Sequence, residues 1–370
     1  MAKNITEIPF TELCERVSEI ARERADSRSK VRGVVNDIYA REISRKWDWN
    51  FFLVNSAITV SAQLNTGTVS GTTGSSTVTF SSDTVLTQSN NGWKLKISGN
   101  DYVYNFTFSQ TTGGTVNPPI SGPTNPTSTS FNLFQPFYSL AADFDRFPKN
   151  GGLAIFQGGT ERIIPELPFQ EWATYYSPSP TQFASYCRLY GTDTAGNTLL
   201  ELTPPPQILA SYRYDYFKKV YPMRETTAGL IGNVAASGTT VTGDSNTQFT
   251  QATTGDYFRI DAFGQASDSE WYRIIAINGN SSITLQAAFG LSGATSASYT
   301  ICSAPQMPYK LHPGVLYGSI LQLCVDQNDP MVQAYNIKFA EVLSDGKRLY
   351  VTRNYNQDIH HLGEEWMYRR

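Results

Sequence analysis

Histidines and carboxylates stand close together near the C-terminal end of the chain. His360 and His361 precede Glu364 and Glu365 by a few residues, and these side-chain types serve metal centres and acid/base catalysis. A metal site on a helix needs two imidazoles on one face, about four residues apart, whereas these two are adjacent. The cluster therefore predicts neither metal binding nor catalysis.

Other residues that could do chemistry are scattered along the chain. Asp48, Asp143 and Asp145 are interpreted as turn or cap residues rather than as paired catalytic carboxylates. The glycine-rich stretches at 71–74 and 151–152 lack the Lys-Ser/Thr ending and the dinucleotide pattern of phosphate-binding loops. We therefore expect a protein that is not an enzyme, with no cofactor and with no catalytic, cofactor-binding or metal-binding residues.

An aromatic stripe could bind a ligand by stacking. Tyr212, Tyr214 and Tyr216 alternate along the chain, and Phe217 follows them. Such rings stack on sugars or bases, but at alternating positions of a strand they more often line a core or a subunit contact. The stripe therefore predicts the buried face of a strand.

Composition sets the broad class. The chain has 370 residues, of which 40% are hydrophobic and 13% aromatic, so folded domains are expected, two or three by length. Charged residues are only 16%, which fits a surface partly covered by neighbouring proteins or one rich in Ser and Thr. A net charge of −3 provides no basic field for phosphates, so sequence-specific nucleic-acid binding is not expected.

The cysteines and the start of the chain exclude further classes. Cys14, Cys187, Cys302 and Cys324 have no paired spacing, and the chain has three histidines, so neither a disulfide framework nor a zinc site is indicated. Residues 1–6 lack the apolar run of a signal peptide, and no stretch approaches a membrane span. We expect a protein that does not follow the secretory route and has no membrane partner.

One β-rich pattern occurs twice. Each copy contains a Gly-x-Val start, a Val-Thr strand, a later glycine and two aromatic anchors. The anchors Tyr272 and Tyr299 of the second copy follow Tyr104 and Phe131 of the first by the same 168 residues. This constant spacing indicates duplication with insertions in the loops.

The repeat sets the predicted organisation. We expect an α+β fold, in which N- and C-terminal helices form a helical bundle with a small antiparallel sheet, and two similar sandwich- or barrel-like β-domains are inserted. The predicted parts are an N-terminal helical part (1–56), β-module 1 (57–136), a central antiparallel β part (137–225), β-module 2 (226–306), a C-terminal helical part (307–350) and a C-terminal arm (351–370).

Apolar spacing predicts helices at both ends of the chain. A first helix over about 11–25 is followed by a second that ends near Trp47. Pro313 and Pro330 each favour the first turn of a further helix. In the first β-module, the proline-rich segment 113–126 predicts an exposed loop that cannot pair inside a sheet.

Three blocks carry a family resemblance. The first is a helix pair with an Asn-x-x-Tyr element at 36–39, ending in Trp47 and Trp49. The second is the strand, proline turn and strand of 199–217, and the third is a helix pair over 316–343. Together these blocks resemble the head–tail adaptor (connector) proteins of tailed bacteriophages.

The resemblance implies a virion structural protein at the head–tail interface, assembled in the host cytoplasm. Such adaptors form a homo-oligomeric ring, typically of twelve copies, under the portal protein, and they connect the capsid to downstream tail or nozzle proteins. Genomic DNA passes through the lumen without sequence-specific binding. The C-terminal segment contacts the portal, and the candidates here are Tyr355, Ile359, His360, Leu362, Trp366, Met367 and Tyr368.

Alternatives remain open at this point. The arm could be a strap across its own domain, and the chain could be a tail-tube or baseplate ring subunit. The β-modules, which resemble insertions of phage structural proteins, could instead bind a receptor or carbohydrate. The aromatic platform would then be Trp93, Tyr102, Tyr104 and Trp271.

Overall fold

The chain is mostly antiparallel sheet, with few helices. The computed structural model describes residues 7–21, 28–122, 124–149, 151–157, 160–225, 232–260, 270–290, 294–326 and 331–351. The predicted α+β class is correct, whereas the helical bundle is not confirmed. The helices are α1 (Phe10–Ile20), α2 (Arg28–Asp37), α3 (Phe169–Tyr175), α4 (His312–Asp326) and α5 (Val332–Tyr350).

The strands form several antiparallel sheets. In chain order they are β1 (Leu53–Val60), β2 (Val69–Gly71), β3 (Thr77–Phe80), β4 (Lys94–Ile97), β5 (Val103–Gln110), β6 (Gly113–Asn117), β7 (Phe131–Phe134), β8 (Phe137–Ser139), β9 (Phe144–Arg146), β10 (Gly152–Gln157), β11 (Thr160–Pro165), β12 (Tyr186–Thr192), β13 (Thr198–Thr203), β14 (Ala210–Lys218), β15 (Val234–Ser237), β16 (Thr240–Gly243), β17 (Tyr257–Ile260), β18 (Tyr272–Gly279), β19 (Ser282–Leu285), β20 (Ala294–Ala297) and β21 (Tyr299–Cys302).

The chain separates into two compact units. One unit comprises Met1–Phe51 and Val220–Arg370, and the other comprises Phe52–Lys219. In its described part, the first unit holds α1, α2, α4, α5 and the seven-stranded sheet β20-β15-β16-β19-β18-β17-β21. The second holds the six-stranded sheet β2-β3-β6-β5-β4-β7, the sheet β1-β14-β10-β11 with β9 also paired to β14, the sheet β12-β13-β8, and α3. The six-part division of the sequence stays a prediction.

The six-stranded and seven-stranded sheets share one topology. We number the strands of each sheet in chain order and leave out β20, the extra strand of the seven-stranded sheet. In both sheets the strands then lie side by side in the order first, second, fifth, fourth, third, sixth. Strand β20 pairs with β15, and β21 pairs with β17. Because only Ser298 separates β20 from β21, this sheet nearly closes into a barrel.

The repeated anchors occupy equivalent positions in these two sheets. Tyr104 pairs across the ladder with Leu95, and Tyr272 pairs with Phe258, the corresponding residue of the other sheet. Both tyrosines are buried, and each hydroxyl accepts a backbone N–H, from Ser121 at 3.1 Å and from Gly290 at 2.8 Å. The constant sequence spacing of these anchors therefore reflects a constant register.

The Gly-x-Val start of each copy is held by two hydrogen bonds. Ser81 N–H donates to Thr68 C=O at 2.9 Å and Asp244 N–H to Asn233 C=O at 3.0 Å, and a second bond runs in the opposite direction. Thr68 N–H donates to Ser81 Oγ (3.0 Å), and Asn233 N–H donates to the Asp244 carboxylate (2.9 Å). The glycine before each donor has a positive φ, +89° and +111°, and a Cβ there would overlap the acceptor side chain. Glycine is therefore required at both positions.

The predicted elements need two corrections. Helix α1 begins at Phe10 and ends at Ile20, and α2 gives way at Ile38 to a π-helical segment that ends at Ser44. The start of the predicted loop 113–126 is instead strand β6, paired between β3 and β5. Gly114 lies against Phe106, and the buried Val116 anchors the strand, so the prolines end the pairing only after Asn117.

Other predicted elements agree with the structure. Pro313 lies in the first turn of α4, while Pro330 is outside the described residues. The aromatic stripe is the inner face of β14, because Tyr212, Tyr214 and Tyr216 are at most 5% exposed in the core between the two small sheets. The stripe is therefore core, and these rings are not available for a ligand.

Close packing joins α4 to its neighbours. Helix α4 contacts α1, α2 and α5. At Gly318, a Cβ would lie 2.7 Å from Ile38 Cγ2 and 2.9 Å from Phe339 Cε2, distances that side chains do not tolerate. The absence of a side chain at Gly318 therefore allows α4 to approach Ile38, which begins the π-helical segment after α2, and Phe339 of α5.

Two glycine substitutions test this packing. We expect Gly318→Ala to lower the free energy of unfolding by about 1–3 kcal/mol, because the added methyl group overpacks the contact with Ile38 and Phe339. The matched control is Gly33→Ala in α2, where nothing lies within 4 Å, and there we expect a gain of about 0.5–1 kcal/mol. Urea denaturation of both variants measures the difference, and equal stabilisation by both would contradict the packing argument.

Candidate interaction surfaces

The predicted portal-contact residues lie outside the described part of the chain. All seven fall within residues 352–370, as do His361, Glu364 and Glu365. Among the residues that the structure describes, no three His, Cys, Asp or Glu side chains are grouped to hold a metal ion. None of the described helices has both the length and the apolar character of a bilayer span.

The Asn-x-x-Tyr element holds both ends of the second β-rich segment. Asn36 Oδ1 accepts from Met223 N–H (2.7 Å), and its Nδ2 donates to Met223 C=O (3.0 Å). Three residues later, the Tyr39 hydroxyl accepts from Gln306 N–H (2.9 Å). Met223 precedes β15 and Gln306 follows β21, so one helical turn fixes the points where the chain leaves for that sheet and returns from it.

Further contacts join the two ends of the second β-rich segment to each other and to α2. Arg32 forms an ion pair with Glu225, and Glu225 forms an antiparallel bridge with Cys302. Ser303 N–H donates to Arg224 C=O at 2.9 Å.

Because Tyr39 is fully buried, desolvation raises the pKa of its hydroxyl to about 12, and the hydroxyl stays protonated at physiological pH.

A buried histidine fixes the start of α1 and the start of α4. His312 is 0% exposed, its Nδ1 accepts from Ile8 N–H (2.9 Å), and its Nε2 lies 3.0 Å from Met307 C=O. Because Nδ1 acts as an acceptor, the proton is on Nε2, and the ring is neutral. Desolvation lowers the pKa of His312, so the folded protein resists protonation. Apart from the scarcity of histidine, no feature of the sequence indicates this role.

An uncovered sheet face lies in the second unit. One row crosses four strands: Ala57 pairs with Arg213, Arg213 with Ala154, and Ala154 with Ile163. Directly paired side chains share a face, and Phe156 is on this face too, two residues from Ala154. Phe156 and Ile163 are 64% and 63% exposed, although both are large and apolar. We call this set of five residues the outer sheet face.

The edge of that sheet is suited to a protein contact. Strand β11 is the last strand of its sheet, and directly after it Glu166 forms a parallel bridge with Cys187 of β12. An edge strand that carries exposed apolar residues is a template for another chain unless something covers it. This surface was not predicted from the sequence. The adjacent apolar pair Ile163-Ile164 indicates it, because successive strand residues point to opposite faces and only one of the two can enter the core.

The aromatic platform of the receptor-binding alternative is not assembled. Trp93, Tyr104 and Trp271 are 7%, 0% and 3% exposed, whereas Tyr102 is 55% exposed. Trp271 packs against the Arg259 guanidinium, 4.4 Å from the ring centroid. A stacking platform needs exposed ring faces, so three of the four predicted rings cannot serve in one.

The buried histidine predicts a pH dependence. Below about pH 6.5, the ordinary pKa of histidine, the unfolded chain binds a proton that folded His312 excludes, so stability is lost as the pH falls. As the pH falls, we expect the free energy of unfolding to decrease in both proteins. The decrease should be steeper in the wild type than in His312→Gln, by up to about 1.4 kcal/mol per pH unit. Urea denaturation at pH 5.0–7.5 measures both slopes, and parallel slopes would contradict the neutral, buried state.

Comparisons with known proteins identify no family. No protein-family model matches the chain, and no curated protein matches it. Among solved structures, the apo form of translation elongation factor SelB from Methanococcus maripaludis is weakly similar, with 10% sequence identity and a TM-score of 0.13. The match covers 69% of this chain and 63% of that chain, so this chain spans less than two thirds of that protein. A similarity this weak shows neither fold nor function.

Proposed function

We propose that the chain is a bacteriophage head–tail adaptor, a virion structural protein that forms a ring under the portal. The observation that carries the proposal is the outer sheet face, with Phe156 and Ile163 exposed beside one another on an edge hairpin. A ring subunit must bury a lateral surface against identical neighbours, and an exposed apolar edge strand is such a surface. The adaptor resemblance supplies the ring architecture.

A second line of support is the position of the Asn-x-x-Tyr element. This element carries the adaptor resemblance, and Asn36 and Tyr39 both bind backbone groups at the ends of the second β-rich segment. A segment held at both ends can vary in length and surface while the helices around it keep their packing. This arrangement fits an adaptor core decorated by inserted modules.

The mechanism in this proposal is mechanical. Twelve copies close a ring through a heterologous contact, and α1, α2, α4 and α5 act as a helical bundle that supports the DNA exit channel. The ring joins the capsid to the tail, and residues 352–370 reach the portal protein. A net charge of −3 would let DNA slide through the lumen without binding.

Cryo-electron microscopy of the neck of the source virion tests the proposal. Mass spectrometry first establishes that the chain is present in the particle. We expect twelve copies between portal and tail, with residues 352–370 against portal subunits. Density at the distal tail would overturn the adaptor assignment in favour of a receptor-binding or baseplate role, and absence from the particle would overturn a virion role altogether.

The lateral contact can be tested by substitution. We expect Phe156→Asp combined with Ile163→Asp to weaken ring formation on the portal by at least about tenfold, because both carboxylates would be buried without partners. The control is Val85→Asp, which also replaces an exposed apolar residue, 69% exposed, in the loop between β3 and β4. Native mass spectrometry of portal–adaptor mixtures measures copy number, and equal assembly by both variants would exclude the outer sheet face as the contact.

The portal contact can be tested by truncation. A chain that ends at Val351 lacks all seven portal-contact candidates. If the arm binds the portal, this truncation abolishes co-sedimentation with portal and leaves the thermal unfolding midpoint of the isolated chain unchanged. A midpoint lowered by several degrees, with portal binding retained, would instead support a strap across its own domain.

A further inference from the structure

A groove of about 680 Å³ lies in the first unit, beside the segments that Asn36 and Tyr39 hold. Its volume is in the range of ligand-binding pockets. Two extended segments, 221–224 and 303–307, form one side, and the turn 253–256 before β17 forms the other. Glu7 and Arg273 complete the lining.

The groove has two arginines, and among the described residues only Arg224 has a carboxylate within ion-pair distance. Arg224 donates to Thr253 Oγ1 and lies 3.8 Å from the Asp256 carboxylate. Arg273 is exposed, and among the described residues no carboxylate lies within ion-pair distance of it. Its Nη2 would lie 3.9 Å from a Cβ at Gly255, so the guanidinium stands over the turn at the groove wall. Its exposed guanidinium can therefore reach a ligand, while its charge also acts on the Tyr257 hydroxyl.

The acidic side chains of the groove already have partners. Glu7 accepts a hydrogen bond from the Tyr257 hydroxyl. Asp256 accepts from Thr253 N–H at 2.8 Å and has Arg224 nearby. Two arginines and two carboxylates balance in formal charge, so the groove has no net field for a polyanion. A single carboxylate directed at Arg273 suits this arrangement, whereas a phosphodiester chain would bring several charges past both acids.

The remaining lining is apolar and has little free backbone. Tyr221 is 53% exposed and Pro222 is also exposed, whereas Met223 and Met307 are only 4% and 6% exposed and Pro305 is buried. The N–H groups of Met223, Arg224 and Gln306 already donate to side-chain oxygens. A ligand therefore cannot add a strand to these segments and is bound by side chains.

We propose that this groove binds a peptide segment of a partner protein that carries one acidic side chain between apolar residues. The carboxylate pairs with the Arg273 guanidinium, which matches its planar geometry with two parallel hydrogen bonds. The apolar neighbours pack on the exposed Tyr221 ring and on Pro222. The corresponding position of the other β-rich sheet is Asn105, paired with Lys94 as Arg273 is with Tyr257, so the site belongs to the second copy alone. This inference does not depend on the ring proposal.

Fluorescence anisotropy of the full chain with two labelled peptides tests the site. One peptide has a central glutamate between leucines, and the other has glutamine there. We expect the glutamate peptide to bind about tenfold more tightly, and Arg273→Gln to remove the difference. Arg273→Lys, which keeps the charge and loses the bidentate geometry, should retain part of it, and an unchanged unfolding midpoint shows that both variants fold.

The control is Arg45→Gln, since Arg45 is also an exposed arginine but does not line the groove. It should leave both affinities unchanged. Equal binding of the two peptides, or no saturable binding of the glutamate peptide at millimolar concentration, would overturn the proposal. Displacement of the peptide by a short DNA duplex would also overturn it, because the groove would then bind phosphate.

Discussion

Two side chains on one helical turn bind the backbone on both sides of the second β-rich segment. Asn36 satisfies both the N–H and the C=O of Met223, and the buried Tyr39 hydroxyl satisfies the N–H of Gln306. Unpaired backbone groups in such a place would cost about 1–3 kcal/mol each. The seven-stranded sheet, the arginines of the adjacent groove and the start of α4 all take their positions from these two points.

The two β-rich sheets show how duplication keeps topology while surfaces change. Tyr257 and Arg259 of the second copy bond to Glu7 and to Glu15 of α1. The equivalent residues of the first copy are Lys94 and Lys96, which bond within their own sheet, to Asn105 and to the backbone of Asn100. Buried positions keep the register because a slip would move every apolar side chain to the wrong face. Outward positions are free of this constraint, so a ligand shared by both copies is not expected.

Two surfaces of the described residues, and one segment outside them, are the proposed contacts with other molecules. The outer sheet face is apolar at its edge and suits an identical neighbour. The groove offers the exposed Arg273 guanidinium together with Tyr221 and Pro222, which suits a short segment with a single carboxylate. Residues 352–370 contain the candidates for the portal. A single chain can thus hold lateral and axial neighbours at once in the proposed assembly.

Local patterns in the sequence determined much of this protein: the α+β class, the duplicated anchors, the aromatic stripe of β14 and the helices at both ends. These patterns depend on the period of apolar residues, which the sequence shows directly. The tertiary structure alone decided that segment 113–117 pairs as a strand, that His312 is buried and neutral, and that Arg273 has no carboxylate within ion-pair distance among the described residues. Each of these depends on residues distant in sequence, since burial and partnership arise only when separate segments pack together.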